Sequence, residues 1–354
     1  RDHLPYSNVI GVVKDGTKTY GATPFGLFYY DQEDNSITRF NKINGLNDFQ
    51  VTSIGYNSGQ KTVIVGYDNG NVDLIIDDVV FNINAILVSN VLGSKSINSI
   101  HSEGNLSYLA CGFGIVVLDL LRKEVKDSYI FGPNGITINV NDITTSSTKI
   151  IASTDNGIYT ANKNSNFLSD FNQWSKVTTI QNNNVPYSTL HFQNNNLFAV
   201  MKISGYATDT LFIFDENFAV LQKQFNDDFF GIESKGTQTI LCKNVGFTIL
   251  NSSLAEEEVI YTYAGNNAIS PNQCIWDGTS YWIADRFASL NKSESNWSTV
   301  NYGIAGPHTN NCFHMTSNKN YVWIASGTVD GSGWNNTYNS NGFMSFDETT
   351  WKRY

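Results

Sequence analysis

One phrase recurs along this chain and restricts its fold more than any other feature: an apolar strand, a glycine, then a second apolar strand ending at Asp or Asn. It reads Tyr20-Gly-Ala-Thr-Pro-Phe-Gly26-Leu-Phe-Tyr-Tyr-Asp31, then Val63-Ile-Val-Gly-Tyr-Asp-Asn-Gly70-Asn-Val-Asp-Leu-Ile75. It returns as Tyr108-Leu-Ala-Cys-Gly-Phe-Gly114-Ile-Val-Val-Leu-Asp119 and Ile150-Ile-Ala-Ser-Thr-Asp-Asn-Gly157-Ile-Tyr159. Looser copies occupy 197–215, 239–251, 281–291 and 321–347. The interval of about 40–50 residues is that of four-stranded propeller blades. A chain of 354 residues is long for one ordinary core, and a propeller escapes that limit by packing blades side by side.

Each repeat divides into four strands. In the first, 9–14 reads as the inner strand, 18–23 as the second, 27–31 as the third and 37–41 as the outer one. Asp15-Gly16, Asp34-Asn35, Asn69-Gly70 and Asn156-Gly157 supply residues that tolerate the positive φ of tight hairpins. Further inner strands are expected at 51–56, 97–102, 140–145, 188–193, 229–234 and 272–277, with an eighth set opening at Cys312. No segment has a helical period of useful length; 118–126 reads as a third strand and turn. The chain is therefore expected to be all-β, a β-propeller of four-stranded antiparallel blades. Closure has two readings. In the first, Arg1–Leu4 clasps the last blade as its outer strand beside 288–292, so that 1–293 is a seven-bladed propeller and 294–354 begins another. In the second, 297–302 takes that place and 1–354 is a single eight-bladed ring.

Composition narrows the function. Lys and Arg total 22 against 32 Asp and Glu, for a formal charge of −10; this is not the basic footprint of a nucleic-acid binder or of a protein held on an anionic membrane. No apolar run approaches the ~20 residues of a membrane span. The opening Arg1-Asp-His-Leu-Pro-Tyr is unlike a signal peptide and reads as a mature or trimmed chain. Cys111, Cys242, Cys274 and Cys312 sit in apolar strands with no CxxC pair, so free, poorly reactive thiols are expected.

Catalytic signatures are missing: the chain has no GxSxG elbow, HExxH pair, P-loop or dinucleotide fingerprint. It is read as a non-enzyme with no cofactor and no metal. The five His, at 3, 101, 191, 308 and 314, fall on different repeats and read as structural. Asp68-Asn-Gly-Asn-Val-Asp73 lacks the closing bidentate acid of a calcium loop and reads as a hairpin. Asp227-Asp228 and Glu256-Glu257-Glu258 read as solvated charge. One segment departs from the repeat: at 327–342 the link between second and third strands grows to about fifteen residues, longer than most connections. It lies on the face where propellers usually bind ligands. There Trp334 and Tyr338 suit stacking on a sugar ring, with Asn335 and Asn336 as hydrogen-bond partners. The bland alternative is a loop that covers the ring or packs on a neighbour.

The blade phrase, with Asn44-Gly45-Leu46 and its link, resembles the two-component-regulator propeller repeat. More narrowly, Arg1-Asp-His-Leu-Pro-Tyr-Ser-Asn-Val-Ile, Gly26-Leu-Phe-Tyr-Tyr-Asp, Cys111-Gly-Phe-Gly-Ile-Val-Val-Leu-Asp and Phe131-Gly-Pro-Asn-Gly resemble the PorZ family of the Bacteroidetes type IX secretion system. The likeness is densest over roughly the first 160 residues and thins toward Trp351-Lys-Arg-Tyr. It implies a protein on the extracellular side of the outer membrane with two seven-bladed propellers and a C-terminal sandwich, of which this chain is the N-terminal part. The implied partners are the sortase, other type IX components and anionic lipopolysaccharide. A periplasmic oligosaccharide sensor of a hybrid two-component system shares the repeat and is the alternative; a polysaccharide hydrolase or lyase is a third reading, which would need an acidic cluster at the axis.

Overall fold

The computed structural model describes residues 3–133, 136–180, 182–329, 331, 333–336 and 342–354. Among these, the chain forms eight four-stranded sheets and one two-stranded sheet, all antiparallel and each built from strands consecutive in sequence. The longest helical element is the four-residue turn Ala85–Val88. The all-β propeller expectation is borne out. Inner strands run Gly11–Asp15, Val51–Asn57, Ile97–Glu103, Val140–Thr145, Tyr187–Gln193, Phe229–Lys235 and Pro271–Trp276, with Cys312–Asn318 opening the last sheet. Each matches its expected place to within two residues.

The strands form where they do because their second and third members are apolar on both faces. Thr62–Tyr67 and Asp209–Phe214 are buried throughout, as strands are when a sheet has packed neighbours on either side. Outer strands such as Glu124–Ile130 are mostly exposed. The expected hairpins have the positive φ that their turns demand, 57° at Gly16 and 60° at Asn35. The calcium-like stretch is indeed a turn: buried Asp73 accepts from the Tyr67 hydroxyl at 2.7 Å and the Asn47 amide at 2.8 Å, and so serves the link between two sheets.

Neighbouring inner strands pack in chain order, and the first packs against both Val51–Asn57 and Pro271–Trp276. Hydrogen bonds repeat the same pattern. Side chains at the second inner-strand position reach the carbonyl that opens the next sheet: Thr52 Oγ1 to Ile97 O (2.8 Å), Asn98 Nδ2 to Val140 O (2.7 Å) and Asn141 Nδ2 to Tyr187 O (2.9 Å). Asn272 Nδ2 makes the equivalent bond to Val9 O at 2.8 Å. At the third position, Leu190 N donates to Asp142 and Val12 N donates to Gln273, both at 2.8 Å. The seventh and first sheets also share an apolar cluster containing Tyr6, Val9, Val12, Phe28 and Trp282.

The expected clasp is corrected. Beside Ser289–Ser293 lies Val300–Asn301, with Asn291 opposite Asn301, so the boundary placed at 293 cuts through the seventh sheet. Arg1 and Asp2 lie outside the described residues. His3 and Leu4 join no strand, and the segment behind them is tied to the seventh sheet through Ser289 Oγ donating to Tyr6 O at 2.7 Å. In the last sheet, all seven residues of Cys312–Asn318 are exposed.

The cysteine expectation holds for pairing, since all four thiols are free, but Cys312 is exposed while the other three are buried. Burial pushes the Cys111 and Cys242 thiols above their ordinary range. A thiol-reactive disulfide reagent is expected to modify Cys312 alone in the native chain and four thiols after denaturation. Rapid native labelling of a second thiol would contradict the burial.

Candidate functional site

The inner strands enclose a central cavity of ≈ 840 Å³, lined by backbone and by side chains from all seven inner strands from Gly11–Asp15 through Pro271–Trp276. The inner strands mix polar and apolar residues, as in Ile97–Glu103 and Val140–Thr145, and the fold converges their polar side chains here. His101 and His191, expected to be scattered, both face this cavity. His101 Nε2 lies 2.9 Å from Thr145 Oγ1, and His191 Nε2 lies 3.0 Å from Ser234 Oγ. Each therefore bridges to the next sheet, the structural role anticipated for His191. Burial lowers both imidazoles to about 4, so they are neutral at pH 7.

Two carboxyl groups in the wall escaped sequence reading: Asp142 and Glu233. Asp142 accepts from Leu190 N and Ile143 N, both at 2.8 Å, and burial still raises it to about 6. Burial, reinforced by the Asp142 charge, raises Glu233 to about 7, although Gln273 Nε2 donates to it at 2.6 Å. Both acids sit in strands of mixed polarity, so no local pattern singles them out, and their partners Leu190 and Gln273 lie on other repeats. Among the described residues, no group of three or more His, Cys, Asp or Glu could hold a metal. The cavity wall is chiefly a set of inter-sheet bonds.

Glu233 gives a pH prediction. Its folded pKa lies above the ordinary value of 4.5, so the folded chain holds an extra proton between about pH 4.5 and 7, and stability falls as pH rises across that window. Glu233→Gln keeps an oxygen for Gln273 and removes the charge. At about 1.4 kcal/mol per pK unit, the variant is expected to gain up to about 3 kcal/mol at pH 8 and little at pH 4.5. Urea midpoints at both pH values check this, and an unchanged difference between them would refute it.

The loop expected to bind a ligand stands apart from this cavity. Trp334 is 82% exposed with φ 56°, and Asn335 and Asn336 beside it are exposed. Val329 and Asn336 form an isolated bridge that pins the base of the turn. Tyr338 lies outside the described residues. The acidic runs fit the solvated reading: Glu256, Glu257 and Glu258 are exposed on an outer strand, and Lys243 sits 3.7 Å from Glu256 and 3.8 Å from Asp227.

The family described as "TSS9, PorZ, N-terminal beta-propeller domain" matches residues 19–175, somewhat under half of the chain. No curated protein matches. Among solved structures, PorZ of Porphyromonas gingivalis, described as an essential bacterial surface component of the type-IX secretion system, superposes with TM-score 0.76 at 17% identity. That match covers 100% of this chain and 46% of PorZ, so the chain spans about half the length of that relative. The WD40 propeller domain of Doa1 gives TM-score 0.60 at 12% identity, covering 82% of this chain and 92% of that one. The extracellular domain of a putative one component system, BT4673 from B. thetaiotaomicron, gives 0.59 at 12%, covering 100% and 53%. At these identities the superpositions establish the propeller fold. The resemblance read from the blade phrases is borne out: residues 19–175 match the model of the PorZ N-terminal β-propeller domain.

Proposed function

We propose that this chain is a non-catalytic binding and assembly module of a type IX secretion system, working at the extracellular side of the outer membrane. The observation that carries this reading is the PorZ family match over residues 19–175, joined to a superposition on PorZ along the whole chain. In this reading the module assists the sortase and other secretion components in processing cargo and attaching anionic lipopolysaccharide. Non-catalysis is supported by the cavity, whose polar side chains are largely engaged in bonds between sheets. We further propose that the first seven sheets close one ring, with the sheet from Cys312 to Arg353 outside it. The equivalence of Asn272–Val9 and Gln273–Val12 to the bonds between consecutive sheets supports that division. The likeness to an extracellular one-component-system domain keeps a periplasmic oligosaccharide sensor as the second reading; a kinase or DNA-binding region in the same gene would decide for it.

In the proposed module, Trp334 stacks on a sugar face while Asn335, Asn336 and Tyr338 supply polar contacts. Titration with lipopolysaccharide from the same organism tests this. Trp334→Ala is expected to weaken binding by about 1 kcal/mol or more through lost stacking. With a net charge of −10, this contact should respond weakly to salt. Unchanged affinity in both Trp334→Ala and Tyr338→Ala would move the site off the loop.

A further inference from the structure

The links between second and third strands of the fifth, sixth and seventh sheets are residues 202–208, 244–246 and 286–288. Each carries an apolar side chain into solvent: Tyr206 is 78% exposed, Val245 53% and Phe287 71%. Exposed apolar residues are ordinary when scattered singly, but these three are joined into a row. Asn244 Nδ2 donates to the Tyr206 hydroxyl at 2.8 Å, and Arg286 Nη2 donates to Asn244 O at 2.6 Å and to its Oδ1 at 3.0 Å. Tyr261, also exposed, extends the row, since a Cβ placed on Gly246 would lie 2.7 Å from Tyr261 Cα. The turns are fixed from below. Buried Asp285 accepts from Phe287 N at 2.8 Å and Ala288 N at 2.9 Å, Lys243 N donates to Gly246 O at 2.9 Å, and Asp228 accepts from Ala207 N at 3.1 Å. The row is thus held in place before any partner arrives, which lowers the ordering cost of binding.

Charge at the row is as particular as its shape. Segments 202–208, 244–246, 261–270 and 286–288 contain Lys202 and Arg286 and no Asp or Glu, in a chain with 32 acids and 22 bases. Lys202 is engaged by buried Asp209. Arg286 makes no ion pair among the described residues; its guanidinium lies 3.9 Å from the Phe230 ring and 6.0 Å from the Phe287 ring, and its Nε has no acceptor. Burial lowers the guanidinium despite the charges of Asp285 and Asp228. Aromatic residues and Arg with few other charges are the composition of an interface core.

We propose that this row is a docking surface for a protein partner, and that it takes a peptide segment in which a carboxylate is flanked by apolar side chains. The apolar side chains lie against Tyr206, Val245 and Phe287, and the carboxylate meets Arg286. Charge complementarity selects the acid, because an unpaired guanidinium offers a planar fork of donors that matches a carboxylate. Aliphatic Val245 between the aromatic tips offers dry contact that suits side chains and gives no hydrogen bond to a sugar hydroxyl. The surface is separate from the Trp334 loop and does not rest on the reading given for that loop.

Selection of a random peptide library on the full chain, followed by titration of the enriched peptides, tests the proposal. The enriched peptides should share an acidic residue beside aromatic or aliphatic ones. Remaking the tightest of them with each Asp or Glu changed to its amide is expected to weaken binding about tenfold or more. Phe287→Ser and Tyr206→Ser, both at exposed side chains, should each weaken it about tenfold, with unfolding midpoints unchanged. Arg286→Gln should do the same; should that variant lose stability, the amide peptide still tests the charge contact on the unaltered chain. Leu121→Ser is the control: Leu121 is 65% exposed in the turn between third and fourth strands, at the opposite end of its blade, and its loss should leave binding intact. Trp334→Ala should also leave it intact, so failure of the lipopolysaccharide reading and failure of this one are separate results. Four results would overturn the proposal: no saturable peptide binding, enriched peptides without an acid, affinity indifferent to Tyr206→Ser and Phe287→Ser, or lipopolysaccharide binding lost in those two variants with no peptide bound, which would make the row a saccharide surface.

Discussion

Replacing Trp282 with alanine is expected to remove about 3–5 kcal/mol of stability, the usual range for deleting a large aromatic from a packed interior. Its indole is fully buried between the seventh and first sheets, within 5.1 Å of the Tyr302 ring and 6.1 Å of Tyr30. The loss has a polar part as well. Trp282 Nε1 donates to Asp277 Oδ2 at 2.9 Å, and the same carboxylate holds Lys14 of the first sheet at 3.1 Å. Burial would raise Asp277, but bonds from Trp282, Thr279, Ser280 and Lys14 outweigh it and hold the group well below the usual carboxylate range. Removing the indole therefore opens a void and strips one donor from a partly buried charge. Urea unfolding with an unchanged m value is the measurement. A loss below about 1 kcal/mol would mean that this junction is not a shared core.

Gly114→Ala should be the second large effect, at about 2–5 kcal/mol from backbone strain and overpacking combined. Gly114 opens a third strand at φ 148°, and an added Cβ would overlap the Tyr129 carbonyl oxygen of the outer strand. The three nearest atoms all belong to the backbone of Tyr129 and Phe131, so no flexible side chain can move aside. Gly157 meets the same obstacle in the Asn183 carbonyl. The control is Gly104→Ala, a turn glycine with φ 60° and open space where Cβ would project; there only the left-handed backbone penalty of about 1–2 kcal/mol applies. Equal losses at the two positions would show that conformational preference, and not contact between strands, retains the glycine of the repeated phrase.

That glycine shows how much of the architecture was legible. A four-stranded blade needs two central strands apolar on both faces, a tight turn between strands, and a residue without Cβ where the third strand meets the fourth. All three requirements are local in sequence, so inner strands at 51–57, 97–103 and 140–145 could be placed from the phrase alone. The clasp could not be placed. Residues 1–4 and 297–302 are both short, strand-like segments, and local pattern does not distinguish them. The choice fell to Val300–Asn301 through pairing with Asn291 and Lys292.

The sites divide along the same line. The long loop at 327–342 was visible because an insertion interrupts a periodic sequence, and the fold leaves Trp334 exposed there. The central cavity was not visible. Asp142, Glu233 and Gln273 are unconnected polar residues until inner strands from different repeats line one cavity, and only then does burial raise the two acids. Tyr206, Asn244 and Arg286 likewise meet only because the fifth, sixth and seventh sheets stand side by side. Sequence by itself determined the blade, because hydrophobic period, turn chemistry and the close-packed glycine act within some forty residues. Tertiary structure alone decided which segment completes the seventh sheet and which charges face one another, because those depend on distances between repeats that no local pattern encodes.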